Sequence, residues 1–223
     1  MMIRSQTILA SLLLCSATCV LSASTFTNGS FEINNSCNPD PGNFSTLTVG
    51  STCMTGWTVT AGDINYINGY WAAADGTHSL DMIGQASAGA IEQTFDTTPG
   101  MDYSVSFSLA GNPDGQGPAI KSVLVSAAGL SQDYAFDATG KSSGNMGWVS
   151  RTFSFTAIDA STTLTFTSTT DVSNNNCCSS AALDNVSVST PEPASAGFVV
   201  LGAMLIAASR LRRTRKPVAS PLQ

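Results

Sequence analysis

MDYSVSFSLAG, residues 101–111, decides the fold of this chain. Tyr103, Val105, Phe107 and Leu109 alternate with Ser104, Ser106 and Ser108, so a strand there turns an apolar row one way and a serine row the other. The same alternation recurs at Val123 and Val125, Phe153 and Phe155, Leu164 and Phe166, and Val186 and Val188. Turn formers separate these runs: TTPG (residues 97–100), GNPDGQGP (111–118) and ATGKSSGN (138–145). Residues 25–190 hold no amphipathic helical repeat, and a parallel βαβ fold is disfavoured without crossover helices. Roughly ten short strands with regular turns predict an all-β fold, an antiparallel β-sandwich or jelly roll with loops clustered at the sheet ends. No repeat of fixed period points to a solenoid or propeller.

The flanks of this body read differently. In residues 1–24, Arg4 precedes an apolar stretch and a run of small residues, the pattern of a secretory signal peptide. Cys15 and Cys19 lack the leucine followed by small residues that a lipid anchor would require. After residue 190 come Pro191, Glu192 and Pro193, then an apolar run over 194–209 and a basic tail over 210–223 that includes Arg210, Arg212 and Arg213. The run is shorter than the ~20 residues a stable spanning helix needs, and the prolines disfavour helix just before it. An all-apolar helix ending in arginines has no place inside a β-sandwich. The expectation is a transient transmembrane sorting helix with its arginines on the cytoplasmic side, then cleavage at the Pro-Glu-Pro hinge.

Between residues 25 and 193 there are 15 acidic residues and only three basic ones, Lys121, Lys141 and Arg151. A body so acidic repels phosphate backbones, so nucleic acid is not an expected partner. Beyond the signal four cysteines remain, Cys37, Cys53, Cys177 and Cys178, an even number that in an exported chain points to disulfides. Zinc is disfavoured, because the cysteines have no paired Cys-x-x-Cys spacing and the one histidine is His78. If the strand near residues 28–33 pairs antiparallel with the one near 182–188, Cys37 falls near Cys177 and Cys178. The preferred pairing then joins that pair to Cys37 and Cys53; the alternative joins Cys37 to Cys53 and leaves a vicinal pair.

NGSFE (28–32), GWTVTAGDINYI (56–67), YWAAADGTHSLDMIG (70–84), IEQTFDTTPG (91–100) and ALDNVSV (182–188) together resemble the bacterial choice-of-anchor C family. That family is related to a plant cell-wall domain of unknown function with a galactose-binding-like jelly roll. The C-terminus resembles a PEP-CTERM sorting signal. The resemblance implies an exported, non-catalytic surface or matrix protein, made where exopolysaccharide is made and processed by an exosortase. Similarity to jelly-roll carbohydrate-binding modules further implies a structural calcium held by Glu32 and Asp184; the alternative is that these motifs merely shape strand ends.

For a ligand, the densest mixture of aromatic and polar residues is Tyr66, Tyr70, Trp71 and Asp75, with Asn65 and Asn68. Aromatic faces stack on sugar rings while amides and carboxylates bond the hydroxyls, so extracellular polysaccharide or cell-wall glycan is the expected partner. Trp57 and Trp148, in strand-like contexts, are expected in the core. His78 and Ser79, adjacent on a strand, should point to opposite faces, which argues against a Ser-His-Asp triad. The alternative function is a polysaccharide-active enzyme using two carboxylates among Asp63, Asp75, Asp81 and Glu92.

Overall fold

The computed structural model describes residues 25–85, 87–114, 117–171 and 180–190. Among them lie eleven strands: β1 (Asn43–Thr48), β2 (Thr58–Ala61), β3 (Asp63–Asn68), β4 (His78–Asp81), β5 (Ala90–Asp96), β6 (Asp102–Gly111), β7 (Ile120–Ala127), β8 (Leu130–Asp137), β9 (Val149–Thr156), β10 (Ser161–Ser168) and β11 (Ala181–Ser189). They form two sheets, β1-β3-β4-β11-β6-β9 and β2-β5-β10-β7-β8, with every strand pair antiparallel. The expected all-β antiparallel sandwich is the fold found.

Strand β6 shows why. Val105, Phe107 and Leu109 are at most 1% exposed and face the second sheet, whereas Ser104, Ser106 and Ser108 are half-buried on the outer face. Facing them from the other sheet are Val123 and Val125 of β7 and Leu164 and Phe166 of β10, all fully buried. The Phe107 ring meets Phe166 edge-on at 5.3 Å and Tyr134 at 5.1 Å. Each such ring withdrawn from water stabilises the fold by about 1.5–3 kcal/mol. Trp57 closes the core beside Phe31 and Phe166.

The NGSFE segment is not a strand in its own right, contrary to the expected first strand. Asn28, in the left-handed region at φ 53°, bonds the backbone of Ile33 with its side-chain oxygen at 2.9 Å and with its amide nitrogen at 2.8 Å. Gly29 accepts the N–H of Val186 in β11, so close that a Cβ would run into the Val186 carbonyl. Phe31 then turns fully into the core.

The preferred cysteine pairing is corrected: Cys37 is bonded to Cys53. Beyond Phe31 the chain does not stay beside β11. Residues 33–35 instead pair with 53–55, Asn35 donating to the Cys53 carbonyl at 2.8 Å and Thr55 to the Ile33 carbonyl at 3.0 Å. This local pairing brings Cys37 opposite Cys53, with Cα atoms 5.9 Å apart. Cys177, Cys178, the signal segment and the sorting residues Pro191, Glu192, Pro193, Arg210, Arg212 and Arg213 lie outside the described residues.

Candidate functional site

On the outer face of the six-stranded sheet, period-two alternation leaves a polar row. Asn65 on β3 stands opposite Asp81 on β4, which stands opposite Ala182 on β11. Two loops lean over this row. The first, residues 69–77, connects β3 to β4 and brings Tyr70 and Trp71; the second, after β6, brings Asn112 and Asp114.

These parts enclose a pocket of about 210 Å³. Phe44, Tyr70 and Trp71 supply aromatic surface, and Asn65, Asp81, Asn112 and Asp114 supply polar groups. The Tyr70 hydroxyl donates to Asp114 at 2.7 Å, spanning the two loops, and the Phe44 ring meets Tyr70 edge-on at 5.5 Å. That hydrogen bond to a carboxylate is the main reason the Tyr70 phenol sits above its ordinary pKa. Trp71 is 3% exposed and its indole N–H donates to Ser79 at 2.8 Å. The other side of the Tyr70–Trp71 wall borders a shallower depression of about 440 Å³ that reaches Ser143 and Gly144.

Asp81 forms the fully buried floor. It accepts from the Asn112 amide at 2.7 Å and from the N–H of Ser180 at 3.1 Å. Burial pushes its carboxyl up to about 7, against these donors and the nearby charge of Lys121.

The loop that carries the aromatics is clamped by two carboxylates. Asp184, fully buried, accepts from the N–H groups of Ala74 at 2.8 Å and Asp75 at 3.0 Å. Burial raises it to about 7 despite those bonds. At the other end of the loop, Glu32 accepts from the N–H groups of Thr77 at 2.8 Å and His78 at 2.7 Å, and its second oxygen meets the Thr77 hydroxyl and the His78 ring. Burial pushes Glu32 up, but the bonds from His78 and Thr77 together hold it below its ordinary value. Trp148 braces the loop from outside, donating to the Ala72 carbonyl at 2.8 Å.

Of the four expected ligand residues, the structure brings Tyr70 and Trp71 to the pocket. Tyr66 is corrected: it is fully buried, donates to the Phe31 carbonyl at 2.7 Å and stacks on His78 at 4.9 Å. Asp75 is exposed, but it lines neither depression and serves through its main-chain N–H. Asn68 is spent on the Pro39 carbonyl. Trp57 lies in the core as expected, whereas Trp148 is only half-buried, packed against the core from its edge.

Glu32 and Asp184, the expected calcium pair, do border one loop, yet protein donors occupy both oxygens of each. Calcium takes six to eight oxygen ligands, and the described residues gather no group of three or more His, Cys, Asp or Glu around a common point. The donor set therefore does not fit a calcium ion. His78 and Ser79 face apart: the His78 ring meets Glu32 and Asn38, while Ser79 receives Trp71. Phe44 and Asp114 had no signal in the sequence. One is a single aromatic in a short strand, and the other sits in a run that reads simply as a turn.

Fold and site together define an antiparallel two-sheet β-sandwich with an aromatic-walled, polar-floored pocket on the outer face of one sheet. The chain belongs to the family described as protein of unknown function DUF642, whose family model matches residues 24–189. It is 32% identical over 162 residues to Halomucin of Haloquadratum walsbyi (strain DSM 16790 / HBSQ001). That match takes in 72% of this chain, and the chain spans 2% of Halomucin. Among solved structures it is similar to TmCBM61 in complex with beta-1,4-galactotriose, with TM-score 0.43 and 13% identity over 76% of this chain and 100% of that one. It is also similar to a family 35 carbohydrate binding module from Clostridium thermocellum, with TM-score 0.43 and 13% identity over 66% and 99% of the two chains.

Proposed function

We propose that this protein is an exported, non-catalytic glycan-binding protein that holds a sugar ring in the pocket between Tyr70 and Asp114. The pocket itself carries the reading: aromatic surface from Phe44, Tyr70 and Trp71 lines it together with the amide and carboxyl groups of Asn65, Asn112, Asp81 and Asp114, the group types that bond sugar hydroxyls. The loop that presents these rings is fixed before any ligand arrives, which lowers the ordering cost of binding. The export signal and the Pro-Glu-Pro tail support delivery to the cell surface or matrix as a choice-of-anchor C protein processed by an exosortase.

Retention on immobilised exopolysaccharide tests the binding reading. Tyr70→Ala, at a position 38% exposed, should fold normally and lose most retention. Retention equal to the parent would remove the pocket from the account. Mass spectrometry of the surface protein tests processing, since an intact tail would contradict exosortase cleavage.

One observation favours a second reading. Asp81 and Asp114 line the same pocket, and burial raises Asp81 toward the range of a general acid. Binding ranks first because Asp81 is committed to Asn112 and Ser180, and Asp114 to Tyr70. Release of reducing ends from exopolysaccharide, abolished by Asp81→Asn, would reverse that order.

A further inference from the structure

Lys121 of β7 is only 2% exposed, an unusual place for an ammonium group. It shares the inward face of its strand with Val123 and Val125 and stands opposite Phe136 of β8. Its stem crosses the end of β6: a Cβ at Gly111 would stand 2.6 Å from Cγ of Lys121, so only a glycine there admits the side chain between the two sheets.

Two further groups converge beside it. Asn112, the neighbour of Gly111, is 6% exposed, and its amide nitrogen donates to Asp81 at 2.7 Å. Asp81 is fully buried and near enough to Lys121 for each charge to act on the other. A buried amine, a buried primary amide and a buried carboxyl are therefore gathered in one place, the set that an amide exchange requires. Burial pulls the Lys121 ammonium down and pushes the Asp81 carboxyl up to about 7, although the opposite charge of each works against this. Burial thus favours the neutral amine, which is a nucleophile, and the neutral acid, which can donate a proton.

We propose that Lys121 and Asn112 become joined by an intramolecular isopeptide bond once the chain has folded, with Asp81 as the proton carrier. Nζ of Lys121 bonds to Cγ of Asn112, and the Cγ–Nδ2 bond of Asn112 breaks. The amine gives one proton to Asp81, and Asp81 returns one to Nδ2, which leaves as ammonia. Nothing is oxidised or reduced, and no other reactant is consumed. The leaving nitrogen is the atom already held on Asp81, and Lys121 and Asn112 both line a cleft of about 280 Å³ through which ammonia departs. Asparagine more commonly loses ammonia by ring closure on the next backbone N–H, but Asn112 precedes Pro113, which has none. The product is a covalent tie between the end of β6 in one sheet and β7 in the other. It anchors the loop whose Asp114 receives the Tyr70 hydroxyl.

Mass spectrometry of the whole protein, reduced and denatured, tests the bond. The parent should weigh one ammonia less than its sequence requires, and Lys121→Arg should have the full mass of its own sequence. Proteolysis on the N-terminal side of Asp114 cuts between the two residues. In the parent the fragments holding Asn112 and Lys121 should stay joined, and in Lys121→Arg they should separate. Asp81→Asn should also separate, with the circular dichroism of the parent. A parent of full mass whose fragments come apart overturns the bond and leaves a buried lysine beside a buried carboxyl. Joined fragments in a folded Asp81→Asn overturn the role given to Asp81. The parent's mass and fragments decide the bond even if neither variant folds.

Discussion

Asp184 accepts the N–H of Ala74 at 2.8 Å across 110 residues of sequence, so a carboxylate of the last strand fixes the loop that carries the pocket's aromatic wall. Replacing Asp184 with Ala strips the acceptor from Ala74 and Asp75 together. The expected loss is about 1–3 kcal/mol, the cost of a buried donor left unsatisfied. Retention on glycan should weaken as well, because Tyr70 and Trp71 stand at the start of the same loop. Urea unfolding and retention measured on one preparation check both parts; unchanged stability would mean that the loop does not depend on the clamp.

The buried carboxyls give stability a definite direction with pH. Asp81 and Asp184 are both raised to about 7 by burial, so folding favours their protonated forms. Their contribution is complete below the ordinary carboxyl value near ~3.9 and fades as pH rises through about 7. Glu32, held low, acts the other way and loses its contribution as the medium becomes acidic. Melting temperature should therefore decline from about pH 4 to about pH 7 and level off toward pH 8, and Asp81→Asn should flatten that decline. Calorimetry from pH 4 to 8 is the measurement, and a profile that climbs to pH 8 would contradict the sign.

The Cys37–Cys53 bond closes a loop with a sequence separation of 16. Constraining a loop of that length in the unfolded chain is worth about 3 kcal/mol. Cys37→Ser with Cys53→Ser should lower unfolding free energy by about 2–3 kcal/mol. Peptide mapping without reductant should recover the 37–53 link in the parent.

Calcium offers a sharp negative expectation. Because protein donors fill Glu32 and Asp184, melting in millimolar calcium and in chelator should coincide. A clear rise with calcium would mean that Glu32 leaves His78 to coordinate the ion, and the clamp described here would need redrawing.

Local pattern in the sequence was sufficient for the fold, because Val105, Phe107 and Leu109 carry their orientation in a period of two. Tyr70 and Trp71 were legible for a different reason, standing among polar residues in a segment too irregular for a strand core. Tyr66 was misread because it lies four residues upstream on β3, where period-two placement turns it inward. Partners were harder to read than faces: the 33–35 to 53–55 pairing that unites Cys37 with Cys53 depends on where the chain leaves β11, which no alternation marks. Glu32 and Asp184 show the same limit. Their residue types suit a metal, and only their surroundings reveal backbone donors.

The place of β11 has a mechanical meaning. It runs inside the six-stranded sheet, with β6 along one side, and β4 and then the Gly29 segment along the other. Tension applied at Ser189 would load an interior strand held on both flanks. Extracting it would mean shearing many main-chain bonds at once rather than peeling them singly from an edge, and the same pull would drag on Asp184 and through it on the aromatic loop.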